Sequence, residues 1–345
     1  MRIAVVGLGR IGSQILRELG RRFPEVMGMD IDPRRVEEMR REGLKATLDA
    51  LEIAEADVYL IAVSTGPRME RLMAAAEALK PAPAGLVSVE STVIPGTMAR
   101  LADSFANRGL LAGQDFFLVH TPHRILFGEE GSIFGQPRVI GGLTPACLER
   151  GVDFYRQLVP SLTPCHDIRL AELTKIVENS LRHVEISCAE ALALYCQEAG
   201  LDYDELRAMV GTKGNVRLLR AQYGIGGECL PKDISFLFET TGCKLFEDAI
   251  KIDSEYRNWL FCEARAPRVL VRGLTFKPGW RDLEYSRAVE LVERLRAAGC
   301  EVWVEDPLYN AEELADLGYQ PWSPDREADT VVEWGKVSKG GSNHG

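Results

Sequence analysis

The sequence predicts an α/β protein with two Rossmann-like doubly wound domains, bridged by a long central helix and a small helical domain. Three observations carry this. An apolar run, RIAVVG at 2–7, ends in glycines and opens a helix. Strand and helix patterns then alternate as far as His120. Finally, Ile168 to Ala199 runs without proline or glycine, and the alternation returns only at Arg268.

Each element follows from its pattern. Residues 2–7 read as a buried parallel strand, because both faces are apolar. Ile11 to Phe23 has helical periodicity. Glu25 to Asp30 is a second strand, Pro33 to Glu42 a second helix, and Val58 to Val63 (VYLIAV) a third strand. A helix from Arg68 to Leu79 follows, then strands at Gly85 to Ser88 and Phe116 to His120. Such alternation with short loops is the pattern of a doubly wound parallel sheet. The proline-free stretch is one long helix or two fused ones, leading into a helical segment that ends near Cys262. VLVRGL (269–274), Ser286 to Ala298 and EVWVED (301–306) then read as strand, helix, strand. The expected division is 1–166, 167–264 and 265–335, with a polar, Gly/Ser-rich tail at 336–345 expected to be disordered.

Composition narrows the function. At roughly 150 residues per domain, 345 residues suggest two to three domains. The chain is 46% apolar, so it can bury real cores. It carries 41 Lys and Arg against 51 Asp and Glu, a net charge of −10, which disfavours nucleic acid and anionic membrane as partners. No run approaches the ~20 apolar residues of a membrane span. The start, Met1 to Gly7, lacks the longer apolar region of a signal peptide, so a cytoplasmic location is expected. The eight cysteines form no Cys-x-x-Cys pair and read as reduced thiols. The five histidines lack metal-ligand spacing, and no metal is expected.

Gly7-Leu8-Gly9-Arg10-Ile11-Gly12 is G-x-G-x-x-G in the context that gives the motif its meaning, between a strand and a helix. The first glycine permits a tight turn, the second admits a pyrophosphate, and the third allows helix and strand to pack closely. Asp30 lies at the end of the second strand, where a carboxylate accepts ribose hydroxyls and repels a 2′-phosphate. NAD is therefore expected over NADP. Arg34 and Arg35 are the residues that would receive that phosphate instead.

The most informative segment is Tyr223-Gly224-Ile225-Gly226-Gly227-Glu228-Cys229-Leu230-Pro231-Lys232-Asp233. Three glycines bring backbone close to a partner. A thiol follows, with a cation and a carboxylate three and four residues on. A thiolate is the nucleophile, and a nearby cation favours it. A carboxylate beside it handles protons or positions water. The residues alone also allow Cys229 to be a buried structural thiol.

Here the chain closely resembles the UDP-glucose/GDP-mannose dehydrogenase family, whose hallmark is G-x-G-G-x-C-x-x-K-D. Gly224, Gly226, Gly227, Cys229, Lys232 and Asp233 match it position for position. Ser91-Thr92-Val93-Ile94-Pro95-Gly96-Thr97 resembles the family's S-T-V-x-P-G-T, and Lys175 and Asn179 its central-helix pair. Gly273-Leu274-Thr275-Phe276-Lys277-Pro278 resembles its third-domain G-L-x-F-K-P.

The resemblance implies oxidation of a nucleotide-sugar C6 alcohol to a carboxylate with two NAD, as in polysaccharide biosynthesis, with UDP-glucose as the first substrate to test. It implies Cys229 as nucleophile, passing through a thiohemiacetal and a thioester. Lys175 and Asn179, one helical turn apart, would hold the oxyanion together. Asp233 and Thr92 would order or activate water. NAD contacts would come from the glycine turn, Arg10, Ile11, Asp30, Arg35, Ser64, Thr65 and Thr92. Substrate contacts would come from Lys175, Asn179, Tyr223, Gly224, Gly226, Gly227, Lys232 and Lys277. A homodimer through the central helix is implied as well.

The chain also departs from the family. His123 stands where a glutamate follows the proline of the P-E-R segment, and a second glutamate position falls on Phe127. A histidine titrates near neutrality, so His123 is a candidate acid/base. The family's D-D-x-R-E-S-P reads Arg281-Asp282-Leu283-Glu284-Tyr285-Ser286-Arg287, putting Glu284 in place of an arginine. Arg281 and Arg287 are candidates to compensate. Two other readings stay open. One is a non-catalytic or partially active nucleotide-sugar or NAD-binding homologue. The other is a two-electron dehydrogenase of the beta-hydroxyacid type.

Overall fold

The structure, a computed structural model, describes residues 1–124 and 132–340. Phe127 lies outside the described residues. The chain forms two compact units, Met1–Val177 and Glu178–Gly345.

The first unit runs β1 (Ile3–Val6), α1 (Arg10–Gly20), β2 (Met27–Met29), α2 (Pro33–Arg41), β3 (Ala46–Thr47), β4 (Val58–Ile61), α3 (Glu70–Glu77), β5 (Gly85–Val89), α4 (Thr97–Ala106), β6 (Phe116–His120), β7 (Arg138–Gly142), α5 (Pro145–Tyr155) and β8 (Leu162–Cys165). The sheet order is β3-β2-β1-β4-β5-β6-β7-β8, parallel except where β6 meets β7. The central strands are apolar throughout because both faces are covered: all four residues of β1 and of β4 are buried. Ile15, Leu16, Leu60, Leu86, Val119 and Phe154 belong to the core so formed. Asp32 and Thr144 cap α2 and α5, each followed by a proline whose missing N–H costs nothing in a first turn.

The long helix α6 spans Ile168–Ala199 without a break, and the division between units falls within it. The second unit continues with α7 (Tyr203–Val210), α8 (Cys229–Thr241), α9 (Lys244–Ala264), β9 (Arg268–Arg272), α10 (Arg287–Ala297), β10 (Glu301–Glu305), α11 (Ala311–Asp316), β11 (Gln320–Pro321), β12 (Thr330–Glu333) and β13 (Lys336–Lys339). Its sheet order is β11-β10-β9-β12-β13, parallel except for the β12–β13 hairpin.

The two sheets share more than strand order. In the first, Gly7 N–H donates to Met29 O, while Asp30 accepts Leu8 N–H at 2.6 Å and Asp32 N–H at 2.9 Å. In the second, Gly273 N–H donates to Glu305 O, while Asp306 accepts Leu274 N–H at 2.7 Å and Leu308 N–H at 2.8 Å. Gly7 and Gly273 both adopt positive φ, 90° and 82°. The same strand–Gly–Leu turn, held by an acid from the neighbouring strand, thus opens both Rossmann-like lobes.

The expectation of a disordered tail from Lys336 is corrected: Lys336–Lys339 pair with β12 from Glu333↔Lys336 to Thr330↔Lys339. A two-residue turn, Trp334-Gly335, makes the hairpin, with φ of 46° and 83°. Positive φ at both turn positions is the geometry that matches strand twist. Polar composition concealed it, because tryptophan is not a usual turn residue there. Residues 341–345 lie outside the described residues. Strands β7 and β8 were also absent from the sequence reading.

Candidate active site

The glycine turn of the first unit is built for close approach. A Cβ at Gly12 would fall 1.7 Å from Gly7 O, and one at Gly7 2.8 Å from Ala62 O. These two glycines are required by packing. At Gly9 a Cβ would meet only the Arg35 guanidinium, at 3.5 Å. Helix α1 starts on Gly9, which has no side chain to cap it, and its positive end faces that open side. Asp30 is 5% exposed. Besides its two backbone donors, it faces Arg35 Nη1 at 3.3 Å. A carboxylate has about four acceptor sites, so one remains for a ribose hydroxyl. These residues fit NAD: Gly9, Arg10 and Ile11 would hold its pyrophosphate and Asp30 its ribose. Arg34 is engaged by Asp32 at 3.0 Å.

The loops after β4 and β5 are stitched together. Thr65 Oγ1 donates to Thr92 O at 2.7 Å, and Ser91 Oγ to Val63 O at 2.6 Å. Ser64 Oγ accepts from Arg71 at 2.5 Å. Thr65 therefore holds Thr92 in place with its only hydroxyl proton. A residue the sequence reading missed, Glu172, ties this loop to α6. It accepts Gly96 N–H and Met98 N–H, each at 2.8 Å, one carboxylate spanning the start of α4. Burial pushes its pKa up, against the pull of those N–H groups. Lys175 follows on α6, half-buried, three residues on.

His123 does not sit as a candidate acid/base should. It is 7% exposed, in a buried cluster with Glu90, Arg138 and Tyr155. Its Nε2 meets the Glu90 carboxylate, and Nδ1 accepts from Arg138 Nη2 at 2.7 Å. Arg138 Nη1 reaches Glu90 at 2.6 Å, and the Tyr155 hydroxyl donates to Glu90. Burial, then the Arg138 charge, lowers His123 to about 4. Burial raises Glu90, but Arg138 and His123 outweigh it and bring it to about 2. A neutral imidazole with Nε2–H on Glu90 and Nδ1 on Arg138 has no nitrogen left for substrate. The structure thus corrects the acid/base expectation for His123: it is a link in a buried ion network. Glu90 directly precedes Ser91-Thr92, the one sequence signal that could have found this cluster.

In the second unit the Tyr223–Gly227 segment leads into α8, which Cys229 begins. Cys229 is exposed, so the reading of it as a buried structural thiol is set aside. All eight cysteines are free, and Cys188, Cys243 and Cys262 are exposed too. Asp233 is buried, and its Oδ2 accepts from Asn179 Nδ2 of α6 at 2.5 Å. The acid of the thiol motif and the asparagine of the central helix are thus brought together. Lys232 Nζ lies 5.9 Å from the centre of the Phe236 ring. A cleft of about 550 Å³ opens beside the motif, lined by Gly227, Glu228, Lys232, Tyr285 and Arg287 among others. Tyr223 is buried, its hydroxyl donating to Arg272 O and accepting Trp334 N–H, so it holds the segment rather than facing a ligand. Lys277 and Glu284 are exposed. Both arginines proposed to compensate for Glu284 are engaged within the unit: Arg281 pairs with Glu313, and Arg287 donates to Ile225 O at 2.9 Å and pairs with Glu290.

Glu190 of α6 is fully buried beside Asp253, and burial first, then Asp253, raises it to about 9. Folded, it keeps its proton through neutral pH; unfolded, it loses it near 4.5. Between these values the unfolded chain binds fewer protons, so this group makes stability fall as pH rises. Glu190→Gln removes that dependence. The Tm of the variant relative to the native chain is expected to rise steadily from pH 5.5 to pH 8.5 in thermal melts; a constant difference contradicts the assignment.

A dinucleotide turn in one unit and an exposed thiol behind a glycine loop in the other are the equipment of an NAD-dependent oxidoreductase. The chain belongs to the UDP-glucose/GDP-mannose dehydrogenase family: residues 41–159 match its NAD binding domain, 169–252 its central domain and 270–334 its UDP binding domain. It is thus an NAD-dependent nucleotide-sugar dehydrogenase. An NDP-N-acetyl-D-galactosaminuronic acid dehydrogenase of Ralstonia nicotianae is 29% identical, over 85% of this chain and 79% of its own. A UDP-N-acetyl-D-glucosamine 6-dehydrogenase of Pseudomonas aeruginosa is 28% identical, over 93% and 86%. The solved structure of a UDP-D-ManNAc dehydrogenase from Pyrococcus horikoshii superimposes with a TM-score of 0.79 at 26% identity, covering 97% of this chain and 89% of that one. No helix among the described residues is long and apolar enough to cross a membrane. Nor do the described residues hold a group of three or more His, Cys, Asp or Glu that suits a metal ion.

Proposed function

We propose that the chain oxidises the C6 alcohol of a nucleotide-sugar to the carboxylate in a four-electron reaction, with Cys229 as covalent nucleophile. The observation that carries this is an exposed thiol at the start of α8, four residues before a buried aspartate that holds the central-helix asparagine. NAD, when bound, accepts hydride, and the full oxidation consumes two. The Cys229 sulfur forms a bond to the C6 aldehyde carbon, and the carbonyl oxygen becomes an oxyanion that Lys175 and Asn179 stabilise. After the second oxidation the C6–sulfur bond is a thioester. Water attacks its carbonyl, the thiolate leaves, and the carboxylate is released. Thr92, fixed through its carbonyl by Thr65, and Asp233, fixed by Asn179, order that water.

Lys232 and Lys277 supply charge for the diphosphate, and the glycines admit it closely. The three-lobe division at 1–166, 167–264 and 265–335 is kept as part of this proposal, within the two compact units Met1–Val177 and Glu178–Gly345. Exposed Leu170, Leu181 and Tyr195 on α6 support a homodimer formed through that helix.

The relatives' names shift the first substrates to try from UDP-glucose to UDP-N-acetylhexosamines. The test is a panel of UDP-, GDP-, TDP- and CDP-sugars with NAD, followed by absorbance at the NADH band and mass spectrometry of the sugar. NADH and a uronic acid from at least one member are expected. Calorimetric binding without NADH across the panel would contradict this reading.

A further inference from the structure

The Tyr223–Glu228 segment holds three glycines and leads straight into Cys229. Glycine has the most backbone freedom of any residue, so such a loop is ordered from outside or not at all. Ile225, between two of the glycines, is 2% exposed, and both its backbone groups are gripped by charged side chains. Its N–H donates to Asp253 Oδ1 of α9 at 2.7 Å. Its carbonyl accepts from Arg287 Nε of α10 at 2.9 Å. These two side chains are joined through two more: Asp253 Oδ2 accepts from Arg257 Nε at 2.9 Å, Arg257 Nη1 donates to Glu290 at 2.9 Å, and Glu290 also accepts from Arg287. Acid and base alternate around a closed circuit, with the Ile225 peptide as its last link. Gly224, at φ 104°, leaves the space that the Arg257 side chain fills, 2.5 Å from where a Cβ would stand.

We propose that Asp253, Arg257, Glu290 and Arg287 form one positioning ring that fixes the backbone of Ile225 and so sets the turn from which Cys229 is presented. The ring acts through the loop, although Arg287 and Glu290 also line the cleft beside the motif. Hydrogen bonds to charged groups are about twice as strong as neutral ones, and two of them converge on one residue. The ring's importance for turnover rests on the proposed role of Cys229; its hold on the loop does not.

The test is Arg287→Ala in the full chain, read by hydrogen exchange with peptide-resolved mass spectrometry and by NADH kinetics. Exchange of the 223–228 peptide is expected to accelerate about tenfold or more. Peptides of α9 and β9 should stay within about twofold of the native chain. With an active nucleotide-sugar, kcat should fall about tenfold or more while KM for NAD holds within about twofold. Arg287→Lys keeps the charge but offers one point of contact instead of a fork, so it should show the same local change at about threefold or more; it carries the test if the alanine variant does not fold. Exchange of 223–228 within twofold of native, or acceleration shared equally by α9 and β9, would overturn the proposal. If the native chain forms no NADH from any nucleotide-sugar, the dehydrogenase chemistry fails while the exchange result still decides the ring.

Discussion

Cys229→Ala is expected to cut steady-state NADH formation by about a thousandfold or more, roughly 4 kcal/mol of transition-state stabilisation. The reason is chemical. Without the sulfur, an aldehyde at C6 has no covalent tether, and the second oxidation must proceed without the nucleophile that divides it into easier steps. Cofactor binding should be kept, because the substitution alters neither the glycine turn nor Asp30. NADH affinity, followed by fluorescence, should therefore stay within about twofold. The serine variant discriminates further. A hydroxyl at this site is far less nucleophilic than a thiolate at neutral pH, so it should be as inactive as alanine in forming the acid. Turnover of Cys229→Ala within tenfold of native would remove the thiol from the chemistry and leave a two-electron dehydrogenase.

Arg138→Ala is expected to destabilise the first unit by about 3–5 kcal/mol, or roughly 6–20 °C in Tm. Arg138 is 1% exposed and pairs with a Glu90 that is equally sealed from water. Removing the guanidinium leaves a buried carboxylate facing a neutral imidazole and a tyrosine hydroxyl. It also strips the cation from the face of the Phe134 ring, whose centre lies 4.9 Å away. The same cluster sets a pH response. His123 is lowered from 6.5 to about 4, so on acidification the unfolded chain takes up a proton that the folded chain refuses. Stability from this group is present above pH 6.5 and is lost between 6.5 and 4. Glu90, lowered from 4.5 to about 2, adds a second loss as pH falls below 4.5. Glu190 acts in the opposite sense over the same window, so the His123 contribution is read as a difference in thermal melts: the Tm of His123→Gln relative to the native chain should rise as pH falls from 6.5 to 4. A Tm change under 2 °C in Arg138→Ala would show that the pocket relaxes around the lost charge.

The strands and helices that were legible in the sequence are those with one strong period. The apolar runs of β1, β4, β5 and β6 and the unbroken α6 appear close to their expected bounds. What escaped has weak local signal. The β7 strand, Arg138 to Gly142, carries a buried arginine and two glycines, a composition that reads as loop until Glu90 supplies the arginine's partner from a distant strand. The hairpin at Trp334-Gly335 depends on backbone φ that tryptophan rarely adopts. In the site, the G-x-G-x-x-G turn was legible from its place between strand and helix, whereas Cys229 and the Lys175–Asn179 pair stood out through their resemblance to the family's motifs. Glu172, Asp253 and Glu290 were not, since an acid on a helix shows its partner only after folding. His123 shows the converse: residue type suggested an acid/base, and burial between Glu90 and Arg138 made it a link in the fold.

The most direct test of the central claim is the stoichiometry of oxidation. With the best nucleotide-sugar of the panel in limiting amount and NAD in excess, NADH formed is compared with sugar consumed at completion. A Cys229 tether carrying one alcohol through to the acid predicts two NADH per sugar and no accumulated aldehyde. One NADH per sugar, or free aldehyde as the end product, would contradict it.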